Sequence, residues 1–179
     1  MGIRHQVHDE PDERWLLRPE VQRGLAAVEA AGLVFDLLVR ARELPAALET
    51  VRAHPELRFV IDHLAKPPIA DGSTQPWADR VSAFAPLANA WCKVSGLVTE
   101  ADWATWQPAT IAPYVDHAVD VFGAGRLLFG SDWPVCLLAA SYEGVLGLAR
   151  ESLAHLGDGE RAAVFGGNAI EVYRLRASD

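Results

Sequence analysis

Two short apolar runs of this chain end in side chains that could carry acid–base chemistry. The run LLF at 127–129 leads through Gly-Ser to Asp132, and the run FVI at 59–61 leads to Asp62 and His63. Continuous apolar runs of this length are typical of strands that are buried in a parallel sheet. The carboxyl ends of such strands carry the catalytic groups of α/β barrels. An aspartate in this position can equally cap a turn.

Polar side chains also stand near the ends of the other predicted strands. These residues are Arg4, His5, Asp36 and Ser95. Because the carboxyl ends of parallel barrel strands share one face, we expect all of these groups to converge. A neutral His63 could ligate a divalent metal or donate to a carbonyl oxygen, or it could be a core histidine bonded to the backbone. Asp62 could orient His63 or cap a turn.

Two cations and three tryptophans are candidates for contacting a substrate. Arg4 and Lys66 could bind an anionic or hydroxylated molecule, and the alternative for each is solvated surface charge. The tryptophans are Trp103, Trp106 and Trp133. They could wall a pocket, as aromatic side chains do in sugar sites, although core packing is expected for at least one of them.

Strand-like and helix-like segments alternate along the whole chain. The predicted strands are Gly2–Val7, Leu33–Val39, Phe59–Asp62, Trp91–Ser95 and Leu127–Phe129. The predicted helices are Pro19–Ala31, Glu43–His54, Trp77–Leu87, Pro108–Phe122, Tyr142–Leu156, Glu160–Phe165 and Asn168–Leu175, the last with Asn168 as its N-cap. This alternation predicts an α/β fold with a parallel sheet and external helices. A doubly wound sheet is disfavoured because the segment 6–12 lacks the glycine-rich turn of that fold.

Four segments together resemble one enzyme family. They are GIRHQVHDEPD at 2–12, FVIDHLAKP at 59–67, WCKVSGLVTEADW at 91–103 and LLFGSDWPVC at 127–136. They resemble the sugar-lactonase branch of the amidohydrolase superfamily, which also contains 2-pyrone-4,6-dicarboxylate lactonases. The resemblance extends from Gly2 to about Leu175. It implies a partial TIM (β/α) barrel, about five C-terminal βα units of an eight-unit metal-dependent-hydrolase barrel.

The resemblance also implies a reaction and a set of site residues. Asp132 would hold and deprotonate the hydrolytic water, and His63 would act beside it. The expected substrate-binding residues are Arg4, His5, Asp36, Lys66, Ser95 and Trp133. The alternatives are a decarboxylase of the same superfamily and a non-catalytic barrel fragment that oligomerises.

The chain departs from the family at its start, because no His-x-His motif is present and His5 and His8 are the only close histidine pair. We therefore expect the first barrel strands to be missing. The intact family member could hold zinc through His63 and Asp132. Catalytic zinc usually has three protein ligands, so we expect this chain to bind metal weakly or not at all.

Composition limits the other functions. The 179 residues carry a net charge of −8, which argues against binding nucleic acid or an anionic membrane surface. No apolar run approaches the roughly 20 residues of a membrane span, and the two cysteines suit buried free thiols in the cytoplasm. We expect a single domain over 1–179 that acts on a small molecule. A partial barrel should leave inward residues such as Phe35 and Val60 without partners, so we also expect a homo-oligomer.

Overall fold

The computed structural model describes residues 1–175. Its strands are β1 (Gly2–His5), β2 (Val34–Leu37), β3 (Arg58–Ile61), β4 (Ala90–Val94) and β5 (Leu127–Phe129). Within the described residues these strands form one five-stranded sheet in sequential order, and every neighbouring pair is parallel. The predicted α/β partial barrel is therefore confirmed, and its edges are β1 and β5.

The helices follow the strands as the sequence predicts. They are α1 (Pro19–Ala30), α2 (Leu44–Ala53), α3 (Trp77–Ser82), α4 (Pro108–Phe122), α5 (Tyr142–Ser152), α6 (Asp158–Ala162) and α7 (Asn168–Tyr173). A π-helical turn, Ala163–Gly167, joins α6 to α7. No helix among residues 1–175 is long and apolar enough to cross a membrane.

The two faces of the sheet have different coverings. Phe35 and Phe59 belong to the large core between the sheet and the outer helices, and their rings meet edge to face at 6.3 Å. Val60 lies on the other face, in a smaller cluster with Val172 and Tyr173 of α7. Our expectation that Phe35 and Val60 lack partners is therefore wrong, because both side chains are buried. Phe35 faces the outer helices, and α7 covers the inner face around Val60.

Asn168 does not cap α7 as the sequence suggested. Its backbone is already helical, with φ −64° and ψ −35°, because the π-helical turn continues directly into α7. The Asn168 amide instead donates to the carbonyl oxygens of Ala124 and Leu127, both at 2.7 Å. The side chain thus ties the last helix to the beginning of β5.

The two cysteines are buried and free, as predicted. Cys92 lies in β4, where burial and the nearby charge of Asp62 raise the pKa of its thiol. Burial also raises the pKa of the Cys136 thiol. Because the thiolate is the reactive form of cysteine, neither residue is suited to act as a nucleophile.

Candidate active site

His63, Ser95 and Asp132 meet where β3, β4 and β5 end. His63 Nδ1 lies 2.8 Å from Ser95 Oγ, and His63 Nε2 lies 3.7 Å from Asp132 Oδ1. The residue is only 8% exposed, and each imidazole nitrogen faces another side chain. His63 is therefore not a core histidine bonded to the backbone, and three strand ends converge on it.

Gly96 makes this convergence possible. Its φ is +62°, and a Cβ at this position would lie 2.8 Å from His63 Nδ1 and 3.1 Å from Asp132 Oδ2. Any side chain here would displace His63 or Asp132. Ser95 is accommodated in a similar way by Gly130, where a Cβ would lie 3.1 Å from the Ser95 Cβ.

The backbone that carries the two candidate catalytic residues is left-handed. After β3 the chain keeps φ between 49° and 57° over residues 63–66, and Asp132 has φ 56°. Non-glycine residues in this region cost about 1–2 kcal/mol each. Such strain is concentrated at functional sites, where the surrounding structure holds it in place. One such restraint is the Trp77 indole, whose Nε1 donates to the Leu64 carbonyl at 2.6 Å.

The Asp132 carboxylate is not used to cap the turn that follows β5. Ser131 does so, because its Oγ accepts the Trp133 backbone N–H at 3.2 Å. Within residues 1–175 the Asp132 side chain makes no hydrogen bond, and it keeps a small exposed fraction of 16%. The carboxylate is therefore available to a water molecule or a substrate.

The surroundings of His63 set its protonation state. Burial lowers the pKa of His63, and the charges of Asp62 and Asp132 only partly oppose this effect. A neutral imidazole has one donor and one acceptor nitrogen. The Ser95 hydroxyl can donate or accept, so it can satisfy Nδ1 in either tautomer. With Ser95 donating, Nε2 carries the proton and faces the side of Asp132.

A cluster of paired charges lies beside this site, on the inner face of the sheet. Lys93 Nζ is 2.8 Å from Asp36 Oδ2 and 2.7 Å from Asp62 Oδ1. Arg4 Nη1 is 3.3 Å from Asp62 Oδ2, and the Tyr173 hydroxyl donates to Asp36 Oδ1 at 2.7 Å. Burial opposes the charge of Lys93, but the two carboxylates outweigh it and raise the pKa of Lys93. Asp62 therefore pairs with two cations, rather than with His63 or a turn.

Sequence reasoning missed Lys93 as a member of this cluster. Its signal was a lysine inside an apolar strand, AWCKV at 90–94. Lysine is almost never buried unless it is paired with an opposite charge. A lysine in a predicted buried strand therefore indicates acidic partners on neighbouring strands, and here they are Asp36 and Asp62.

Two other predicted site residues have partners of their own. His5 stacks on Trp15 at 4.3 Å, and its Nε2 lies 2.8 Å from Glu10 Oε1. Lys66 Nζ forms an ion pair with Glu100, a residue that sequence reasoning also missed. Both side chains therefore contact a glutamate, and neither takes part in the contact between His63 and Asp132.

One of the three candidate tryptophans packs against the core, and the other two are exposed. Trp106 packs against the core, and its Nε1 donates to the Ala139 carbonyl at 2.9 Å. Trp103 and Trp133 are mostly exposed. Of the three tryptophans, Trp133 is the one that directly follows Asp132 in the chain.

His63 and Asp132 alone do not make a metal centre. Their facing atoms, Nε2 and Oδ1, are close enough to approach one cation. No group of three or more His, Cys, Asp or Glu side chains in residues 1–175 could hold a metal ion. Because catalytic zinc normally has three protein ligands, the described residues do not fit a complete zinc centre. The weak or absent metal binding of this chain remains a prediction.

One family model and two curated relatives match nearly the whole chain. A family model described as "Amidohydrolase" matches residues 1–175. L-fucono-1,5-lactonase of Burkholderia ambifaria is 43% identical over 178 residues, which are 97% of this chain and 61% of that protein. L-fucono-1,5-lactonase of Burkholderia multivorans is 41% identical, over 97% of this chain and 62% of that protein. The chain thus spans less than two thirds of the length of these relatives.

A solved structure shares the fold. It is the crystal structure of an amidohydrolase from Burkholderia multivorans with bound zinc. The match has a TM-score of 0.94 and 40% sequence identity, and it covers 98% of this chain and 64% of the other. The five-stranded sheet described above is therefore shared with a longer protein.

Proposed function

The chain belongs to the amidohydrolase family, and from this premise we propose that it hydrolyses a sugar lactone or a related ring ester. The observation that carries the proposal is the convergence of His63 and Asp132 around Gly96. The free carboxylate of Asp132 suits a general base, and the neutral imidazole of His63 suits a hydrogen-bond donor. The two curated relatives with more than 40% identity are lactonases, so the decarboxylase alternative is not favoured.

The proposed reaction begins at Asp132. Its carboxylate takes a proton from a bound water as the water oxygen attacks the lactone carbonyl carbon. The carbonyl oxygen becomes an oxyanion, which accepts a hydrogen bond from His63 Nε2–H. The intermediate collapses, the bond between the acyl carbon and the ring oxygen breaks, and Asp132 returns the proton to that oxygen. The product is the open-chain hydroxy acid.

Ser95 and Arg4 support this reaction in different ways. Ser95 donates to His63 Nδ1 and so keeps the proton on Nε2, where the oxyanion forms. Arg4 binds substrate oxygens, because about half of its side chain is exposed while one nitrogen is anchored on Asp62. A planar guanidinium can contact two oxygens of a hydroxylated ring at once.

Steady-state hydrolysis of a panel of aldonolactones, including L-fucono-1,5-lactone, tests the proposal. Asp132→Asn keeps the size of the side chain but removes the base, so we expect turnover to fall by about 10²–10⁴-fold. Asp116→Asn, on the exposed side of α4, is the matched control and should leave turnover unchanged.

Three outcomes would contradict the proposal. A folded Asp132→Asn variant that keeps more than about a tenth of the parental turnover would remove the base from the mechanism. Release of carbon dioxide from aromatic or enol carboxylic acids, without lactone hydrolysis, would support the decarboxylase alternative. A folded wild-type chain that hydrolyses no lactone would support the non-catalytic alternative.

A further inference from the structure

Lys93 occupies the centre of the charged cluster on the inner face of the sheet, and the reaction described above does not use it. We propose that Lys93 is a positioning residue for substrate binding. It holds the Asp62 carboxylate in place, and Asp62 in turn fixes the guanidinium of Arg4 at the carboxyl end of β3. The inference rests on the proposed function, because it assigns Arg4 to the oxygens of a lactone and of its aldonate product.

The Asp62 carboxylate lies between two cations. This residue is fully buried, and each of its carboxylate oxygens faces a different cation. Oδ1 lies 2.7 Å from Lys93 Nζ, and Oδ2 lies 3.3 Å from Arg4 Nη1. A buried carboxylate is tolerated only when its charge is compensated. Lys93 provides the closer and more buried of the two compensating charges.

Arg4 reaches Asp62 from the edge of the sheet. It lies in β1, an edge strand of the described sheet, and its backbone is paired with Asp36 of β2. The guanidinium nevertheless reaches past β2 to Asp62 at the end of β3. A flexible side chain on an edge strand has many available rotamers, and this anchor selects one of them. The selected rotamer directs Arg4 towards the residue that precedes His63.

Asp36 and Asp62 share one lysine. Lys93 Nζ is within 2.8 Å of both carboxylates, so its removal would leave the fully buried Asp62 and the mostly buried Asp36 without the cation that they share. Tyr173 of α7 also holds Asp36, through a 2.7 Å hydrogen bond. Asp62 would have only the partly exposed Arg4. We therefore expect Asp62 to be the carboxylate that moves, and Arg4 to move with it.

Charge-compensated double variants separate positioning from simple stabilisation. Lys93→Met with Asp36→Asn restores the charge balance and keeps the pair between Asp62 and Arg4. Lys93→Met with Asp62→Asn restores the same balance but removes the anchor of Arg4. If Lys93 only stabilises the fold, the two double variants should have the same KM, the same dissociation constant and the same Tm.

The measurements are KM and kcat for L-fucono-1,5-lactone, the dissociation constant of L-fuconate by calorimetry, and Tm. We expect Lys93→Met to raise KM and the dissociation constant by about 10- to 100-fold, the range for one lost charged hydrogen bond, with little change in kcat. Lys93→Met/Asp36→Asn should lower both constants relative to Lys93→Met, because the charge balance is restored while Asp62 keeps its pair with Arg4. Lys93→Met/Asp62→Asn should recover Tm but not the two constants.

The outcomes separate this inference from the proposed function. Equal recovery of KM in both double variants, or an effect of Lys93→Met on kcat or Tm alone, would overturn the inference while lactone hydrolysis stands. Absent turnover, together with the expected pattern of L-fuconate binding, would overturn the proposed function and support the inference. A wild-type chain that binds neither lactone nor L-fuconate would overturn the inference.

Discussion

The contact between His63 and Asp132 depends on the absence of a side chain at residue 96. In Gly96→Ala the new methyl group would lie 2.8 Å from His63 Nδ1, closer than packed atoms allow. We expect turnover of the preferred lactone to fall on the order of 10²-fold, because a displacement of about 1 Å at a catalytic group can have that effect. The free energy of unfolding should also fall, by about 2–4 kcal/mol from left-handed strain plus overpacking.

Gly72→Ala is the matched control for this variant. Gly72 has φ +65°, almost the same as Gly96, but no atom lies within 4 Å of the position of its Cβ. The control should therefore show only the backbone strain, about 1–2 kcal/mol, with unchanged turnover. If both variants lose the same stability and keep full turnover, Gly96 is only a turn residue.

His63 should make the stability of the chain depend on pH. Burial lowers its pKa in the folded protein, whereas the unfolded chain has the ordinary value of 6.5. Below about pH 6.5 the unfolded state therefore binds a proton that the folded state does not bind. The contribution of His63 to the free energy of unfolding is fully present above this pH and is lost as the pH falls.

Urea unfolding at pH 7.5 and pH 5.5 measures this contribution of His63. His63→Gln should lose less stability between the two pH values than the wild type, by up to about 1 kcal/mol. His155→Gln, which changes an exposed histidine of the last third of the chain, should retain the wild-type loss. If the wild type and His63→Gln lose the same stability between the two pH values, His63 binds protons equally well in the folded and the unfolded protein.

The sequence indicated some site residues better than others. The proximity of Asp132 and His63 could be predicted because the carboxyl ends of parallel strands share one face, and this rule needs only a strand and a polar residue after it. Lys93 and Gly96 could not be predicted in this way, because their roles depend on distances between strands. The ion pair of Lys66 could not be predicted for the same reason, since its partner Glu100 lies in a loop 34 residues further along the chain.

At the scale of elements, hydrophobic patterns identified the strands and helices, but some helix ends were misplaced. α3 ends at Ser82 and α5 at Ser152, earlier than the predicted Leu87 and Leu156. In both cases the chain continues through turns whose hydrogen bonds join residues three apart rather than four. One example is the bond from the Leu87 N–H to the Phe84 carbonyl. Apolar periodicity persists through such turns, so the sequence alone does not show where the α-helix stops.

Asn168 links two elements, and its removal should destabilise the fold. Asn168→Ala would leave the carbonyls of Ala124 and Leu127 without their buried donor. We expect the free energy of unfolding to fall on the order of 2–4 kcal/mol for the two lost hydrogen bonds. Urea unfolding measures this change. Gln75→Ala removes an exposed hydrogen bond to Asp79 and should change stability by less than about 0.5 kcal/mol. An equally small effect of Asn168→Ala would show that α7 does not need this link.

At the scale of the whole molecule, the open sheet is covered on its faces more completely than at its edges. The outer helices cover one face, and α7 covers the apolar part of the other. This second covering could not be predicted, because nothing in the pattern of α7 shows which face of the sheet it meets. The two edge strands remain: β1 is largely exposed, and a groove lined by Phe129, Tyr142 and Phe165 lies beside β5.

Unpaired strand edges promote association, since their backbone groups can pair with another chain. We therefore expect light scattering at micromolar concentration to show a dimer or a larger assembly of this chain. Ile3 of β1 is 45% exposed, and Ile3→Lys should shift the protein towards the monomer, because an edge lysine opposes strand pairing. Ile170→Lys, at an exposed isoleucine of α7, is the control and should leave the assembly intact. A wild-type monomer of ordinary thermal stability would contradict this prediction, since α7 and the outer helices would then suffice to stabilise the open sheet.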